Sequence, residues 1–439
     1  MSEGRPNERT GGERRPRERA AGSERRPRER AAGGESLVGR EWTVEVGPVA
    51  HGGHCVARHE GQVVFVRHTL PGERVVARVT EGRVGDSFVR ADAVEVLEAA
   101  PGRVPAPCPY AGPGLCGGCD FQHASVGTQR ALKGAVVREQ FARVAGLDVD
   151  VEVQPVPGDA EGLRWRTRVE FAVDEAGRAG LRRHRSREVV PVDDCLIATP
   201  GVIDSGVLDT EWPDVESVDV VDAAHPDEPV LVPLPPAEGS DGSGGLVGEL
   251  ARDGDWEGEY VVGARGFWQV HPGAATTFLT RVVALLGAEP GDRVVDLFAG
   301  AGLFTMRLGE LVAPDGFVLG VEGDRRAVEN GERNTEHLEN VEWRANRVDR
   351  ELRSLVSQGV TADLVVLDPP RTGAGKGVMA LVGELGPRRV VYVACDPAAL
   401  ARDVRAAGEQ GYALASLEAW DAFPMTHHVE CIAVLERSS

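Results

Sequence analysis

The chain has 439 residues, of which 42% are hydrophobic and 27% are charged, a composition ordinary for a soluble globular protein. At roughly 100–200 residues per domain, this length predicts two to four domains. No apolar run reaches the ~18 residues of a membrane-spanning helix, and the Arg/Glu-rich start lacks the apolar core of a secretory signal. We therefore expect a cytoplasmic protein without a membrane partner.

The net charge of −20 at first argues against a nucleic-acid partner, but the charge is unevenly distributed. Residues 201–260 hold sixteen acidic residues and one basic residue, Arg252, whereas residues 164–187 hold eight arginines. Local fields, rather than the net charge, decide what docks at a surface. An RNA partner is therefore compatible with the composition.

Residues 1–35 are predicted to be a disordered tail. The unit Glu-Arg-Arg-Pro-Arg-Glu-Arg-Ala-Ala-Gly occupies residues 13–22 and recurs at residues 24–33. It has no apolar stripe, so it cannot bury enough surface to offset the entropy of ordering. It could act as a basic arm that contacts RNA phosphates, although a solvated tail is the simpler interpretation.

Residues 36–98 are predicted to form a small antiparallel β-barrel. Four short runs rich in β-branched residues are mostly separated by Gly/Pro turns, a spacing typical of such barrels. The segment Gly52–Arg58 resembles a turn of the TRAM domain, an OB-like RNA-binding module, with Cys55 in place of a glycine. The resemblance implies that this barrel binds RNA.

Residues 99–265 are predicted to form an α+β domain with a helix near 128–144 and an acidic loop at 233–248. Three of the seven cysteines, Cys108, Cys116 and Cys119, lie within twelve residues. In a reducing compartment such a cluster indicates metal or iron–sulfur ligands rather than disulfides. With Cys195 there are four thiolates, a set that binds either zinc or an iron–sulfur cluster.

Residues 266–439 alternate apolar, strand-like runs with helical segments. The runs at 293–298, 317–322, 363–368 and 389–394 are largely apolar, as expected for parallel strands covered on both faces. The alternation predicts a Rossmann-like, doubly wound α/β domain.

Several motifs follow these strands where ligands bind in such folds. Asp296-Leu-Phe-Ala-Gly-Ala-Gly302 opens a helix, and Glu322 ends the next strand, where an acid can accept hydrogen bonds from ribose hydroxyls. With Asp368-Pro-Pro-Arg371, these residues resemble a class I S-adenosylmethionine (SAM) methyltransferase. The alternative, an NAD-binding domain, would require G-x-G-x-x-G near the start of the domain.

Two residues carry the predicted chemistry. Cys395 comes just after a buried strand, where a thiolate could attack an electrophilic carbon. Glu430 begins the last apolar run, where burial would raise its pKa toward general acid–base duty. Taken singly, Cys395 could be a small buried hydrophobe and Glu430 an ion-paired strand residue.

The order of the motifs is more specific than any one of them. Over residues 37–439 it resembles the RNA 5-methyluridine (uracil-C5) methyltransferase family, whose bacterial members modify uridine in 23S rRNA or tRNA. The motifs that carry the resemblance are Gly266-Phe-Trp-Gln269, Asp296–Gly302, Asp368–Arg371, Cys395–Asp403 and Phe423–Glu430.

The resemblance implies roles for individual residues. Cys395 would add to C6 of uracil, Glu430 would remove the C5 proton, and Phe267 would stack near the flipped base. The implied SAM-binding residues are Gln269, Phe298, Glu322, Asn346 and Asp368. The resemblance also favours a structural [4Fe–4S] cluster over zinc on Cys108, Cys116, Cys119 and Cys195, and we expect a monomer without an obligate protein partner.

Three positions depart from the family pattern: His271, Asp396 and Leu303. A carboxylate beside the nucleophile would raise the pKa of the thiol and slow attack, unless it is turned away or paired. Two alternative functions therefore remain open. One is methylation of RNA at cytosine C5 or on another nucleobase, and the other is RNA binding with weak or no catalysis.

Overall fold

A computed structural model describes residue 1, residues 34–236 and residues 241–438. Residues 2–33 of the predicted tail and residues 237–240 of the predicted acidic loop lie outside the described residues. Among the helices of the described part, none is both long and apolar enough to cross a membrane.

A closed five-stranded barrel forms the N-terminal part of the described chain, as predicted. Its strands alternate buried and outward-facing residues, which is the period of a β-strand with one face on a core. The strand order is β1-β2-β3-β5-β4, and the β3–β5 pair is parallel, so the expectation of a wholly antiparallel barrel was wrong at this pair. The strands are β1 (Glu41–Val49), β2 (Cys55–His59), β3 (Gln62–Arg67), β4 (Arg74–Glu81) and β5 (Phe88–Glu98).

A helix and a second sheet follow the barrel. Helix α1 (Val126–Gln140) begins at Ser125, whose side chain accepts a hydrogen bond from the Thr128 backbone, and it continues into a π-helical turn. A five-stranded sheet then has the order β11-β10-β7-β8-β9, and β12 pairs with β13 as a hairpin. The elements are β6 (Val153–Pro155), β7 (Arg168–Val173), β8 (Ala179–Arg182), β9 (Val189–Pro191), α2 (Pro200–Asp204), β10 (Ser217–Val221), β11 (Val230–Leu234), β12 (Leu246–Asp253) and β13 (Trp256–Gly263).

The C-terminal part is built on an eight-stranded sheet with the order β16-β15-β14-β17-β18-β20-β19-β6. Five strands, β14 to β18, are parallel and β20 is antiparallel to β18. The elements are α3 (Ala274–Leu286), β14 (Arg293–Leu297), α4 (Leu303–Val312), β15 (Phe317–Glu322), α5 (Arg325–Asn334), β16 (Val341–Ala345), α6 (Val348–Ser357), β17 (Leu364–Leu367), α7 (Lys376–Leu385), β18 (Arg389–Ala394), α8 (Pro397–Gly408), β19 (Tyr412–Asp421) and β20 (Glu430–Arg437).

Both faces of this sheet are covered, as the apolar runs predict. Val294 lies in the hydrophobic cluster on one face, and its neighbour Val295 lies in the cluster on the other. This alternation explains why the parallel strands are apolar throughout. Strand β6 also joins the sheet, although it lies within the range predicted for the central domain.

A buried ion pair ties α1 to the end of β19. The Lys133 ammonium donates to Asp421 Oδ1 at 2.5 Å and to the Phe423 carbonyl at 2.9 Å, and neither charged side chain is exposed. Arg130, which is partly exposed, approaches the other oxygen of Asp421 at 3.3 Å. One of the chain's two lysines thus anchors the segment that leads to Glu430.

We expect Lys133→Met to destabilise the fold by about 3–5 kcal/mol, because it leaves Asp421 as a buried charge without its principal partner. Chemical denaturation measures the loss. Arg130→Met is the matched control and should cost less than about 1 kcal/mol, since its ion pair is partly in water. Equal losses in the two variants would contradict a special role for the buried lysine.

Candidate active site

The parallel strands end in register and collect six predicted site residues at one edge of the sheet. Each of the five parallel strands contributes the residue that ends it or directly follows it, and β20 contributes its first residue. The carboxyl ends of parallel strands are where ligands bind in doubly wound folds. These residues are Phe298, Glu322, Asn346, Asp368, Cys395 and Glu430.

Cys395 and Glu430 lie opposite each other on neighbouring strands. Ala394, the last residue of β18, pairs with Cys431 in β20, so Cys395, which follows Ala394, lies level with Glu430, which precedes Cys431. Glu430 is buried, and burial, with the nearby Asp368 carboxylate, raises its pKa well above the ordinary value. The structure thus brings the predicted nucleophile and the predicted base together.

The turn after β14 has a strained backbone and is supported by a hydrogen bond to Glu322. Phe298 has φ = 60°, a left-handed conformation that is rare for a residue with a side chain. Glu322 supports the turn, because its carboxylate accepts hydrogen bonds from the backbone N–H of Gly300 (3.1 Å) and of Asp324 (2.8 Å). Strain of this kind is often found at ligand-binding turns.

Asp296 belongs to this edge, although the sequence did not single it out as a site residue. Its Oδ2 accepts a hydrogen bond from Thr305 (2.6 Å), while its buried Oδ1 has no hydrogen-bond partner among the described residues. Burial, with the nearby carboxylates, raises the pKa of Asp296 to about 7, and burial raises that of Asp368 to about 7. An unpaired acceptor among buried carboxylates suits a cationic ligand, and SAM carries both an ammonium and a sulfonium.

Two predicted cofactor residues have different surroundings. Asn346 is held within its own segment, where its side chain donates to Glu351 (2.9 Å) and accepts from the Arg347 backbone (2.9 Å). Gln269 lies apart from the strand ends, between β13 and α3, and is only 8% exposed. Near it, Phe267 is 73% exposed.

Two departures from the family pattern are buried in the packing. His271 accepts a hydrogen bond from the Gly273 backbone on Nδ1, and burial lowers its pKa, so a neutral ring fits its surroundings. Leu303 is a buried residue at the start of α4. Both side chains act in packing around the site.

The surroundings of the Cys395 thiol disfavour its ionisation to a thiolate. Burial, together with the Glu430 and Asp368 carboxylates, raises its pKa to about 12. The exposed Arg371 guanidinium acts in the opposite direction. The thiol therefore depends on nearby positive charge to form a thiolate.

Asp396, the carboxylate beside the nucleophile, is paired on both oxygens. Its Oδ1 accepts from the Ala399 backbone (2.8 Å) as the N-cap of α8, and its Oδ2 accepts from His51 Nε2 at 3.0 Å. Burial alone would raise the pKa of Asp396, but these hydrogen bonds hold it below the ordinary value. His51 comes from the barrel and gives no signal in the sequence, because it is distant along the chain.

The four cysteines of the predicted cluster lie near one another, but they are not arranged as a set of metal ligands. The other thiols contribute to raising the pKa of Cys119 and of Cys116, although burial is the main cause. Within the described ranges, no group of three or more His, Cys, Asp or Glu side chains is arranged to hold a metal ion. Four free thiols suit an iron–sulfur cluster or zinc by donor chemistry.

The segment that contains Cys108, Cys116 and Cys119, called here the cysteine loop, also contacts the loop of residues 422–429 that leads to Glu430, the predicted base. Asp120, next to Cys119, accepts from the His427 backbone (3.1 Å) and from its Nδ1 (2.6 Å). The Asp120 and Phe121 backbones both donate to the Met425 carbonyl. Neither contact could be inferred from spacing, because about 300 residues separate the partners.

A doubly wound sheet with carboxylates and a strained glycine-rich turn at its carboxyl edge is typical of enzymes that bind a nucleoside-containing cofactor, the class to which SAM-dependent methyltransferases belong. Known proteins are similar in both sequence and structure. Residues 35–94 match the TRAM domain, and residues 259–438 match the tRNA (uracil-5-)-methyltransferase family.

Two relatives cover most of the chain. An uncharacterized RNA methyltransferase of Streptomyces coelicolor is 48% identical over 91% of this chain and 94% of its own. The 23S rRNA (uracil(1939)-C(5))-methyltransferase RlmD of Alkalilimnicola ehrlichii is 34% identical over 90% of this chain and 96% of its own. The chain therefore belongs to the SAM-dependent RNA uracil-5-methyltransferase family.

A solved structure supports the fold. The tRNA (uracil-54, C5)-methyltransferase of Pyrococcus abyssi, in complex with S-adenosyl-L-homocysteine, has a TM-score of 0.65 and 21% identity. The match covers 89% of this chain and 99% of that one. The fold predicted from the motifs is thus confirmed, as the relatives confirm the predicted family.

We expect His51→Ala to slow alkylation of Cys395 several-fold. Without its histidine partner, the negative charge of Asp396 would oppose thiolate formation more strongly. Iodoacetamide labelling followed by peptide mass spectrometry measures the rate at Cys395 alone. The hydrogen bond to Asp396 raises the pKa of His51, so its imidazolium persists to a higher pH than that of a free histidine. The effect should therefore be larger at pH 7 than at pH 9, where the imidazolium has lost its proton.

Asp396→Asn is the matched control for this prediction. It removes the carboxylate, so adding His51→Ala to it should change the labelling rate little. A similar effect of His51→Ala in both backgrounds would show that the histidine does not act through Asp396.

Proposed function

We propose that this chain transfers a methyl group from SAM to C5 of a uridine in RNA through a covalent bond between Cys395 and C6 of the base. The single observation that carries the proposal is the placement of Cys395 opposite Glu430, at the edge that also holds Asp296 and Asp368. Unaided, C5 of uracil is too weak a nucleophile, so a covalent step is required.

In this mechanism the Cys395 thiolate forms the S–C6 bond, and the electrons of the C5–C6 double bond move onto O4 as an enolate. SAM, when bound, supplies the methyl group that C5 takes up, and its sulfur keeps the electron pair of the broken bond. The Glu430 carboxylate then removes the C5 proton. The C5–C6 double bond re-forms as the S–C6 bond breaks, which regenerates the thiolate.

The raised pKa of Glu430 suits a base. A carboxylate whose proton is held tightly in the folded protein is a stronger acceptor once it is ionised. Arg371 suits the first step, since its guanidinium favours the Cys395 thiolate. The target base must leave its stack to reach this buried edge, and exposed Phe267 could stack against it on the way.

For the cofactor, we propose that Glu322 accepts hydrogen bonds from the ribose hydroxyls and that Asp296 receives the ammonium group. Each oxygen of the Glu322 carboxylate already accepts one hydrogen bond from a backbone N–H and can accept a further one. Phe298, Asn346, Asp368 and Gln269 would complete the binding site.

We propose ribosomal RNA as the substrate, with tRNA as the alternative. Support comes from the relative RlmD, whose name specifies 23S rRNA and whose length this chain covers almost completely. Cytosine methylation is less favoured, because Asp368 is followed by Pro-Pro where cytosine-C5 enzymes usually carry a further cysteine. We propose that the enzyme acts in the cytoplasm as a monomer.

We further propose that Cys108, Cys116, Cys119 and Cys195 bind a structural [4Fe–4S] cluster, with zinc as the alternative. The mutual proximity of the four free thiols supports this proposal. The methyl transfer moves no net electrons, so the cluster would serve to hold the cysteine loop against the barrel and the base-carrying loop.

We expect Cys395→Ala to abolish methyl transfer while leaving SAM binding intact, because only the covalent step is lost. Glu430→Gln should instead trap a protein–RNA adduct, since the C5 proton would have no acceptor. Mass spectrometry of RNA nucleosides measures 5-methyluridine, and denaturing gels measure the adduct. Recovery of full turnover in Glu430→Gln would exclude Glu430 as the base, and 5-methylcytidine as the product would establish the alternative.

We expect protein purified without oxygen to contain iron and acid-labile sulfide in equal amounts, about four of each per chain for a Cys₄-bound cluster. Metal analysis and visible absorption measure the content. Cys116→Ser should lower it, whereas Cys431→Ser, at a cysteine outside the set, should not. Zinc without sulfide would establish the alternative.

A further inference from the structure

The loop of residues 371–375, between β17 and α7, is held by side chains from two other elements. We call it the arginine loop. Tyr392 of β18 accepts a hydrogen bond on its hydroxyl from the Ala374 backbone (3.0 Å). Asp403 of α8 accepts one on Oδ2 from the Gly375 backbone (3.0 Å). Two side chains thus fix two successive backbone N–H groups of the loop.

Asp403 lies at the centre of this support and is completely buried. The Tyr392 hydroxyl donates to its Oδ2 (2.8 Å), and Arg402 Nε donates to its Oδ1 (3.1 Å). Arg402 Nη2 in turn donates to the Thr372 carbonyl of the arginine loop (2.7 Å). The three side chains therefore act on the loop as one hydrogen-bonded unit with Asp403 as its common acceptor.

The arginine loop packs closely against this unit at Gly373. This residue has φ = 75°, a left-handed conformation that favours glycine. A Cβ added to Gly373 would lie 2.5 Å from Arg402 Nη2 and 2.5 Å from Asp403 Oδ2. The backbone thus rests directly on the two side chains, and the course of the loop depends on where they lie.

Arg371, the first residue of the arginine loop, influences both predicted reacting groups. Burial and the Glu430 and Asp368 carboxylates raise the pKa of Cys395, whereas the Arg371 guanidinium lowers it. The same guanidinium lowers the pKa of Glu430, against the effect of burial. It also approaches Nε2 of His428, two residues before Glu430, at 3.4 Å.

The effect of Arg371 depends on how well its position is fixed. The side chain is exposed, and a charge that moves away into water is screened. Asp396 also faces Cys395 and opposes the thiolate, although it is paired with His51. A guanidinium held in place by its backbone therefore offsets an acidic environment that burial has already made unfavourable to the thiolate.

We propose that Asp403 is a positioning residue, which keeps the Arg371 guanidinium beside Cys395 while the covalent bond forms. It acts through Tyr392 and Arg402. The inference rests on the proposed function, since it takes Cys395 as the nucleophile. Asp403 lies in the helix that follows Cys395, and Tyr392 lies in the strand that precedes it, so the support and the nucleophile share the same two elements.

The test compares two alkylating reagents on the full chain, neutral iodoacetamide and negatively charged iodoacetate. Peptide mass spectrometry measures the rate of each at Cys395 between pH 7 and pH 9. Both reagents need the same thiolate, so the ratio of the iodoacetate rate to the iodoacetamide rate reports positive charge beside the sulfur. The iodoacetamide rate against pH reports how readily the thiolate forms.

Asp403→Asn should slow iodoacetamide about threefold at each pH and lower the rate ratio about twofold, because the guanidinium is no longer held near the sulfur. The direction is informative. Loss of the Asp403 charge by itself would favour the Cys395 thiolate, and general loosening of the fold would expose the thiol, so both would speed alkylation. In steady-state methylation, Asp403→Asn should lower kcat and leave KM for SAM unchanged.

Tyr392→Phe is the second variant, since it changes no charge and removes only the hydroxyl that joins Asp403 to the arginine loop. It should shift the iodoacetamide rate and the rate ratio in the same directions as Asp403→Asn. If Asp403→Asn does not fold, Tyr392→Phe decides the question. Arg371→Gln should reproduce both effects, and adding Asp403→Asn to it should change them little, because the positioned group is already gone.

Two matched controls remove similar buried groups elsewhere. Glu73→Gln alters a buried carboxylate that accepts from Arg103 beside the barrel. Tyr412→Phe removes a buried hydroxyl that donates to the Pro387 carbonyl (2.7 Å). Both should leave the alkylation rates of Cys395 and their ratio unchanged, since neither group supports the arginine loop.

Several outcomes would overturn the inference. These are an unchanged rate ratio in Asp403→Asn and Tyr392→Phe, faster alkylation in either variant, equal changes in the controls, or an undiminished effect of Asp403→Asn in the Arg371→Gln background. Alkylation needs no methyl transfer, so the two proposals fail separately. Methylation by Cys395→Ala would refute the proposed function, whereas normal alkylation in Asp403→Asn and Tyr392→Phe, in an enzyme that requires Cys395, would refute this inference alone.

Discussion

The register of one parallel sheet is the constraint on which the site depends. Because β14 to β18 are parallel and end together, residues far apart in the chain arrive at one edge. The residues packed around this edge keep water from several of its carboxylates. Buried carboxylates there hold protons more tightly, which raises the pKa of Asp296 and Asp368 to about 7. The same burial gives Glu430 its basicity and opposes ionisation of Cys395.

The barrel and the cysteine loop both contact residues of the candidate active site. His51 of the barrel pairs with Asp396, beside the predicted nucleophile, and Gly53 packs against the loop that carries the predicted base. Asp120 of the cysteine loop bonds to His427 on that same loop. Three parts of the chain therefore set the positions of Cys395 and Glu430.

Much of the fold follows from local patterns. The apolar runs in residues 266–439 predicted parallel strands because strands buried on both faces lack polar alternation. The short β-rich runs before residue 98 likewise predicted the barrel. The parallel β3–β5 pair could not be predicted, since pairing direction depends on chain path rather than on composition. For the same reason, the sequence did not show that β6 joins the large sheet.

By itself the sequence determined the class of protein and the strand ends and indicated candidate reactive groups, because these depend on local spacing and on motif order. Only the tertiary structure decided how those groups are tuned. The charge on Asp396 is countered by His51, hundreds of residues away, and the buried, unpaired oxygen of Asp296 is known only once its neighbours are in place. Pairing, burial and field strength depend on distances in space, and these are settled only when the chain has folded.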